Sequence, residues 1–204
     1  MINKRDIERP IDEALAQFRD EYAEALHSDV RTIRAAIEAV YHSGGKHVRP
    51  LLLLLTAEAC GGVRADSVHA AVFLELLHIA SLIHDDVVDD TRQRRGQPSM
   101  NAVFDNRIAV LVGDFVLSEA LIRATRTGSA LIVSLIASLS RQMAEGEIKQ
   151  LENAREQLLT EEDYFMAVEK KTAMLLAVCA EIGAVTAGAD ADVQAHCRGF
   201  GRLL

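Results

Sequence analysis

The chain has 204 residues, of which 50% are apolar, 25% charged and only 4% aromatic, with no tryptophan. That supply of apolar side chains can fill a core and excludes a disordered chain. A formal charge of −8 makes a general binder of nucleic acid or anionic membrane a poor expectation, so any basic cluster stands out.

Taken in chain order, the first residues, Met1-Ile2-Asn3-Lys4-Arg5-Asp6, hold no apolar run of the signal-peptide kind. Apolar residues then recur at helical spacing. The pattern predicts helices over about 10–27, 30–42, 48–60, 66–90, 106–126, 129–157, 161–187 and 190 to the end. Asp66 and Thr160 are expected N-caps, the latter with Asp163 in a capping-box arrangement. Gly61-Gly62, Gly128 and Gly188 follow predicted helix ends, where glycine is favoured. No proline follows Pro98, so long helices are open to the second half of the chain. No segment alternates with period two, and one all-α domain over 1–204 is the expectation.

Segments 66–84 and 129–139 are apolar almost all round, as helices at the centre of a bundle are. The longest uncharged stretch, 127–140, is shorter than the roughly 20 residues that span a bilayer, so no transmembrane segment is expected. Cys60, Cys179 and Cys197 are odd in number and far apart, which predicts buried free thiols in a reducing, cytoplasmic setting.

The central predicted helix runs into acid: His78-Ile79-Ala80-Ser81-Leu82-Ile83-His84-Asp85-Asp86-Val87-Val88-Asp89-Asp90. Asp85 and Asp89 are four apart and share a face, with His78 two turns back. Four carboxylates at a helix C-terminus repel one another and oppose the helix dipole. A divalent cation resolves the conflict, and oxygen-only ligands suit Mg²⁺, which shares its other positions with water and phosphates. Two basic groups flank the cluster. Gly44-Gly45-Lys46-His47-Val48-Arg49-Pro50 sets Lys46 and Arg49 at a helix start, and Arg92-Gln93-Arg94-Arg95-Gly96 follows the acidic run. Helix N-termini and arginine forks both suit phosphate oxygens, so phosphorylated ligands are expected, and two separated basic groups allow two of them.

These motifs, in this order, resemble the trans-isoprenyl diphosphate synthases, or polyprenyl synthetases. The resemblance runs from about Ile33 to Leu204. It rests on 44–50, on Asp-Asp-x-x-Asp at 85–89 with Arg94-Arg95-Gly96 after it, on Gly113-Asp114, on Gly146-Glu147 with Gln150, and on Lys171-Thr172-Ala173. It implies an isoprenoid synthase-type bundle of long antiparallel helices around a central apolar cavity. By position it implies that Lys46, Arg49, His78 and Arg95 hold isopentenyl diphosphate. Asp85 and Asp89 would bind Mg²⁺, Asp86 would support them, and Arg94, Lys171 and Thr172 would grip the allylic diphosphate. The catalytic set is then Asp85, Asp86, Asp89, Lys171 and Thr172. The implied reaction is head-to-tail elongation of an allylic diphosphate by isopentenyl diphosphate, in a homodimer joined near 106–157.

Product length in this family follows residues before the first aspartate. Ala80 and Ser81 are small and should leave the pocket open. Leu77 lines the same row, and Phe73, about 18 Å from Asp85 at 1.5 Å per residue, would be a deeper floor. A long-chain product of the heptaprenyl or octaprenyl class is therefore expected. Family members are longer and carry a second aspartate-rich motif on a later helix. The sequence ends at Gly199-Phe200-Gly201-Arg202-Leu203-Leu204, which resembles the stretch just before that motif, so it is expected to represent the N-terminal two-thirds of the family domain. Two other readings stay open. One is a non-catalytic partner subunit of a heteromeric prenyl synthase. The other is a metal-dependent phosphohydrolase with His84 as a ligand.

Overall fold

Helical periodicity becomes helix over most of the chain. A computed structural model describes residues 3–41, 47–94, 96–156, 160–161, 165, 169 and 173–204. Its elements are α1 (Lys4–Glu8), a 3-10 turn (Arg9–Ile11), α2 (Asp12–Ala25), α3 (Arg31–Tyr41), α4 (Val48–Ala59) and α5 (Ala65–Val88). A two-stranded hairpin, β1 (Gln93–Arg94) and β2 (Gln97–Pro98), precedes α6 (Met100–Phe104), α7 (Asn106–Arg126), α8 (Ala130–Glu156), α9 (Met174–Ala187) and α10 (Ala191–Leu203). The all-α expectation holds. The predicted spans 48–60, 106–126 and 129–157 agree with α4, α7 and α8 to within a residue or so at each end. The short α1, α6 and the hairpin were not foreseen, because each is too brief to show a period.

The centre is α5. Apolar on nearly every side, it buries Val68, Ala70 to Leu74, Leu76, Leu77, Ala80 and Ile83. It packs along α7 and also meets α2, α4, α6 and α9. Its 24 residues are long and apolar enough to cross a membrane, yet 67% of its most apolar window lies inside the bundle, as in a core helix. Close helix contact relies on missing side chains. A Cβ on Gly183 of α9 would strike the Leu53 carbonyl of α4, and one on Gly201 of α10 would strike the Leu176 carbonyl of α9.

Three expectations are corrected. Asp66 is not the N-cap of α5. Arg64 is, and its N–H donates to the Ser67 hydroxyl at 3.1 Å, while Asp66 lies in the first turn, where its charge suits the dipole. Segment 129–139 is not buried all round, for Leu131 and Val133 are 49% and 42% exposed while Ile132, Ile136 and Leu139 face the core. The three cysteines are not all buried. Cys179 is, but Cys60 and Cys197 are half-buried with their sulfurs 3.7 Å apart. The Thr160–Asp163 capping box lies outside the described residues.

One buried cation ties three helices. Arg123 of α7 is 2% exposed, and its Nη1 lies 3.2 Å from Glu24 Oε2 and 3.6 Å from Glu21 Oε2, both on α2. His69 of α5 meets the same Glu21 oxygen at 2.8 Å. Replacing Arg123 with Met removes both contacts of this buried guanidinium, while Glu21 keeps His69 and Glu24 turns to water, and a loss of about 1 kcal/mol is expected in denaturant unfolding. Unchanged stability would show that the network contributes nothing.

Candidate functional site

The acidic end of α5 divides into an inner and an outer face. Asp86 points inward, 4% exposed. Its carboxylate accepts from Arg94 Nε at 2.9 and 3.1 Å and from Nη2 at 2.7 Å. Its carbonyl accepts from Thr91 N–H at 2.9 Å and from Asn101 Nδ2 at 3.1 Å. Asp86 therefore anchors the hairpin and α6 to the helix. The bond to Asp86 raises the Arg94 guanidinium above its ordinary pKa, partial burial opposes this, and the fields of Asp86, Asp85 and Asp89 add to the rise. Charge-assisted forks of this kind are among the stronger side-chain contacts.

Asp85 and Asp89 take the outer face, half-buried and exposed respectively. Asp89 caps the helix, its N–H donating to the Asp85 carbonyl at 2.8 Å. Asp90 follows in a left-handed conformation (φ 46°) and makes a surface pair with Arg92 at 3.0 Å, an exposed contact of little energetic worth. Among the described residues no three His, Cys, Asp or Glu side chains converge as a complete metal cage. Two outward oxygen donors on one helical face are a partial set, suited to a hard cation that completes its shell with water and phosphate.

His84 leans against α7. Its Nε2 lies 3.4 Å from Asp114 Oδ1 and 3.3 Å from the Val110 carbonyl, both on α7. The phosphohydrolase reading needs this ring as a metal ligand, and its use on α7 argues against that role. Gly113 makes the contact possible, because a Cβ there would strike the His84 ring. Gly113→Ala is expected to push α7 from α5 and lower stability by about 1–3 kcal/mol. An unfolding midpoint equal to that of the parent protein would contradict this close fit.

The other expected site residues fall as follows. Arg49, half-buried, lies in the first turn of α4, directly after His47 and Val48. His47 Nδ1 reaches Glu75 Oε1 at 3.0 Å, so the start of α4 meets α5 about 15 Å before Asp85, at 1.5 Å per residue. That separation leaves room for two anionic groups. His78 is half-buried between these points, and its carbonyl accepts from the Ser81 hydroxyl at 2.8 Å. Phe73, Leu77 and Ala80 are buried and Ser81 half-buried. Lys46, Arg95, Lys171 and Thr172 lie outside the described residues. A cleft of about 590 Å³, lined by Arg92, Asn101, Ala102, Asp105, Asn106 and Arg107, includes none of the residues expected to set chain length.

Two residues escaped the sequence reading. Glu75, 3% exposed, is the one acid in the apolar run 72–77, a signal that was available. Asn101, also 3% exposed, carries no sequence signal, since its partner is a backbone carbonyl. Cys179 behaves as expected of a core thiol. Burial pushes it up to about 12, with the Arg49 cation pulling down and the Glu75 anion pushing up.

Comparison with known proteins adds to this geometry. The model of the Polyprenyl synthetase family matches residues 30–204. Octaprenyl diphosphate synthase of Haemophilus influenzae is 34% identical over 199 residues, 98% of this chain and 60% of that protein. Geranylfarnesyl diphosphate synthase of Methanosarcina mazei is 38% identical over 172 residues, 84% of this chain and 58% of that protein. Among solved structures, a polyprenyl synthase from Caulobacter crescentus, complexed with calcium and isoprenyl diphosphate, superposes with a TM-score of 0.91. It is 33% identical, and the match covers 96% of this chain and 60% of that one. The chain thus spans about 60% of the length of these relatives.

Proposed function

Because the chain belongs to the polyprenyl synthetase family, we propose that it forms the first aspartate-rich part of a prenyltransferase site. The reaction joins an allylic diphosphate to isopentenyl diphosphate head to tail and yields a trans-polyprenyl diphosphate. The observation that carries the reading is the division of labour at the end of α5. Asp85 and Asp89 share the outer face of the helix end, four residues apart, while Asp86 is buried and paired with Arg94.

The donor set fits Mg²⁺, which when bound would neutralise charge on a departing diphosphate. Asp85 and Asp89 would hold it. Arg94, aligned by Asp86 through Nε and Nη2, would meet oxygens of the allylic diphosphate, together with Lys171 and Thr172. Arg49 and His78, with Lys46 and Arg95, would hold the diphosphate of isopentenyl diphosphate beside the N-terminus of α4. As the allylic carbon–oxygen bond breaks and diphosphate leaves, the double bond of isopentenyl diphosphate attacks that carbon, and the resulting cation gives up a proton to the departed diphosphate. The apolar wall of α5 keeps water from the cation. Small Ala80 and Ser81 support a long product with Phe73 as the deeper stop. The relatives are named for products of different length, so they do not choose among long chains.

Exposed Leu111, Leu121, Ile122 and Leu131 on α7 and α8 support a homodimer through these helices. The reading also assigns the protein to the cytoplasm, with α5 as a core helix and not a membrane span. Incubation with Mg²⁺, an allylic diphosphate and labelled isopentenyl diphosphate tests it. Elongated products are expected. Phosphate release without elongation would favour a hydrolase, and activity only with an added subunit would favour a partner role.

A further inference from the structure

Glu75 is an odd residue for its position. It sits in the middle of the central apolar helix α5, 3% exposed, between Leu74 and Leu76, which are fully buried. A carboxylate there is costly unless something uses it. Its Oε1 accepts from Nδ1 of His47 at 3.0 Å, and its Oε2 has no hydrogen-bond partner among the described residues. His47 is itself unusual. It caps α4 in a left-handed conformation, φ 47° and ψ 42°, which few residues other than glycine adopt readily. Its ring is fixed on other sides by edge contacts to Phe18 and Tyr22, with centroids 5.7 and 5.8 Å away. Its carbonyl accepts the first helical bond of α4, from Leu51 N–H at 3.1 Å. Anything that fixes the imidazole therefore fixes the turn that leads into Arg49 and the N-terminus of α4.

We infer that Glu75 is a positioning residue for isopentenyl diphosphate, acting through His47 to hold the start of α4 in its binding geometry. The inference rests on the proposed function, since it assumes that this helix start receives a diphosphate. Glu75 touches no substrate in this account. The fields of Glu75 and Arg49 at the Cys179 thiol agree with an acid and a cation meeting near one stretch of α9.

A merely structural role makes a different forecast. Leucine removes a buried carboxylate that is only half satisfied, and His47, whose side chain is 40% exposed, can give its Nδ1 to water instead. Glu75→Leu should thus keep or raise the unfolding temperature while impairing one ligand. Titration calorimetry on the intact chain reads this out. Glu75→Leu is expected to weaken binding of isopentenyl diphosphate roughly tenfold or more, the scale of one charged hydrogen bond. Mg²⁺-dependent binding of an allylic diphosphate should stay unchanged. Glu75→Gln, which keeps an oxygen for His47 Nδ1–H, should restore most of the affinity. Equal affinity of Glu75→Leu and wild type for isopentenyl diphosphate would overturn the inference, as would parallel loss of both ligands with a fall in stability. If Glu75→Leu does not fold, His47→Asn carries the same test, because asparagine tolerates the left-handed backbone. Weakened isopentenyl diphosphate binding then supports the inference, and unchanged binding overturns it. A wild-type chain that binds no isopentenyl diphosphate would overturn the functional reading itself, and this inference with it.

Discussion

Replacing Asp85 with Ala is expected to lower the rate of chain elongation by on the order of 10³-fold, the scale of losing a principal stabiliser of developing charge. The same change should leave the fold intact. Asp85 is half-buried at the C-terminal end of α5, where the dipole disfavours anions and where Asp86, Asp89 and Asp90 already repel it. Removing its charge relieves that repulsion and forfeits the attraction of Arg94, so stability should change by no more than about 1 kcal/mol. Incorporation of labelled isopentenyl diphosphate measures the first effect, and thermal unfolding the second. A rate within tenfold of the parent, or a large loss of stability, would show that Asp85 serves the helix and not a cation.

Asp86→Ala should fail differently, although the two residues are neighbours. Asp86 is buried, and its carboxylate fixes Arg94 through three short contacts. Loss of hydrogen bonds to a charged group is worth about 1.5–3 kcal/mol, which corresponds to a rise of roughly 10–100-fold in KM for the allylic diphosphate. The KM for isopentenyl diphosphate should move much less, because Arg49 and His78 lie toward the other end of the α5 contact. A fall in stability of about 2 kcal/mol should accompany the change. Steady-state kinetics with each substrate varied in turn separates the two constants. Equal shifts in both would mean that Asp86 supports the whole site and does not aim Arg94 in particular.

The contrast between these neighbours marks where sequence reading stops. An apolar helix ending in His84-Asp85-Asp86-Val87-Val88-Asp89 is visible as a pattern, because helical spacing puts Asp85 and Asp89 on one face. That Asp86 turns inward is also implied by the period. What it finds there is not implied, since Arg94 and Asn101 arrive through a two-residue hairpin and a five-residue helix. The role of Gly113 was legible only as part of a motif, and the His84 ring that demands it lies on another helix. Contacts across long separations were invisible. His47 and Glu75 are 28 positions apart, and the Cys60 and Cys197 sulfurs meet across 137. Leu131 and Val133 misled for another reason. Composition reports how apolar a helix is, whereas exposure depends on what packs against it.

The central claim is that the outward carboxylates of Asp85 and Asp89 hold a divalent cation against a substrate diphosphate. Crystals of the protein grown with Mg²⁺ and a bisphosphonate analogue of the allylic substrate test it most directly. Density for the cation beside both carboxylates, bridging to phosphonate oxygens with Arg94 in contact, is the expected result. A bisphosphonate bound elsewhere, with no cation beside either carboxylate, would contradict the account.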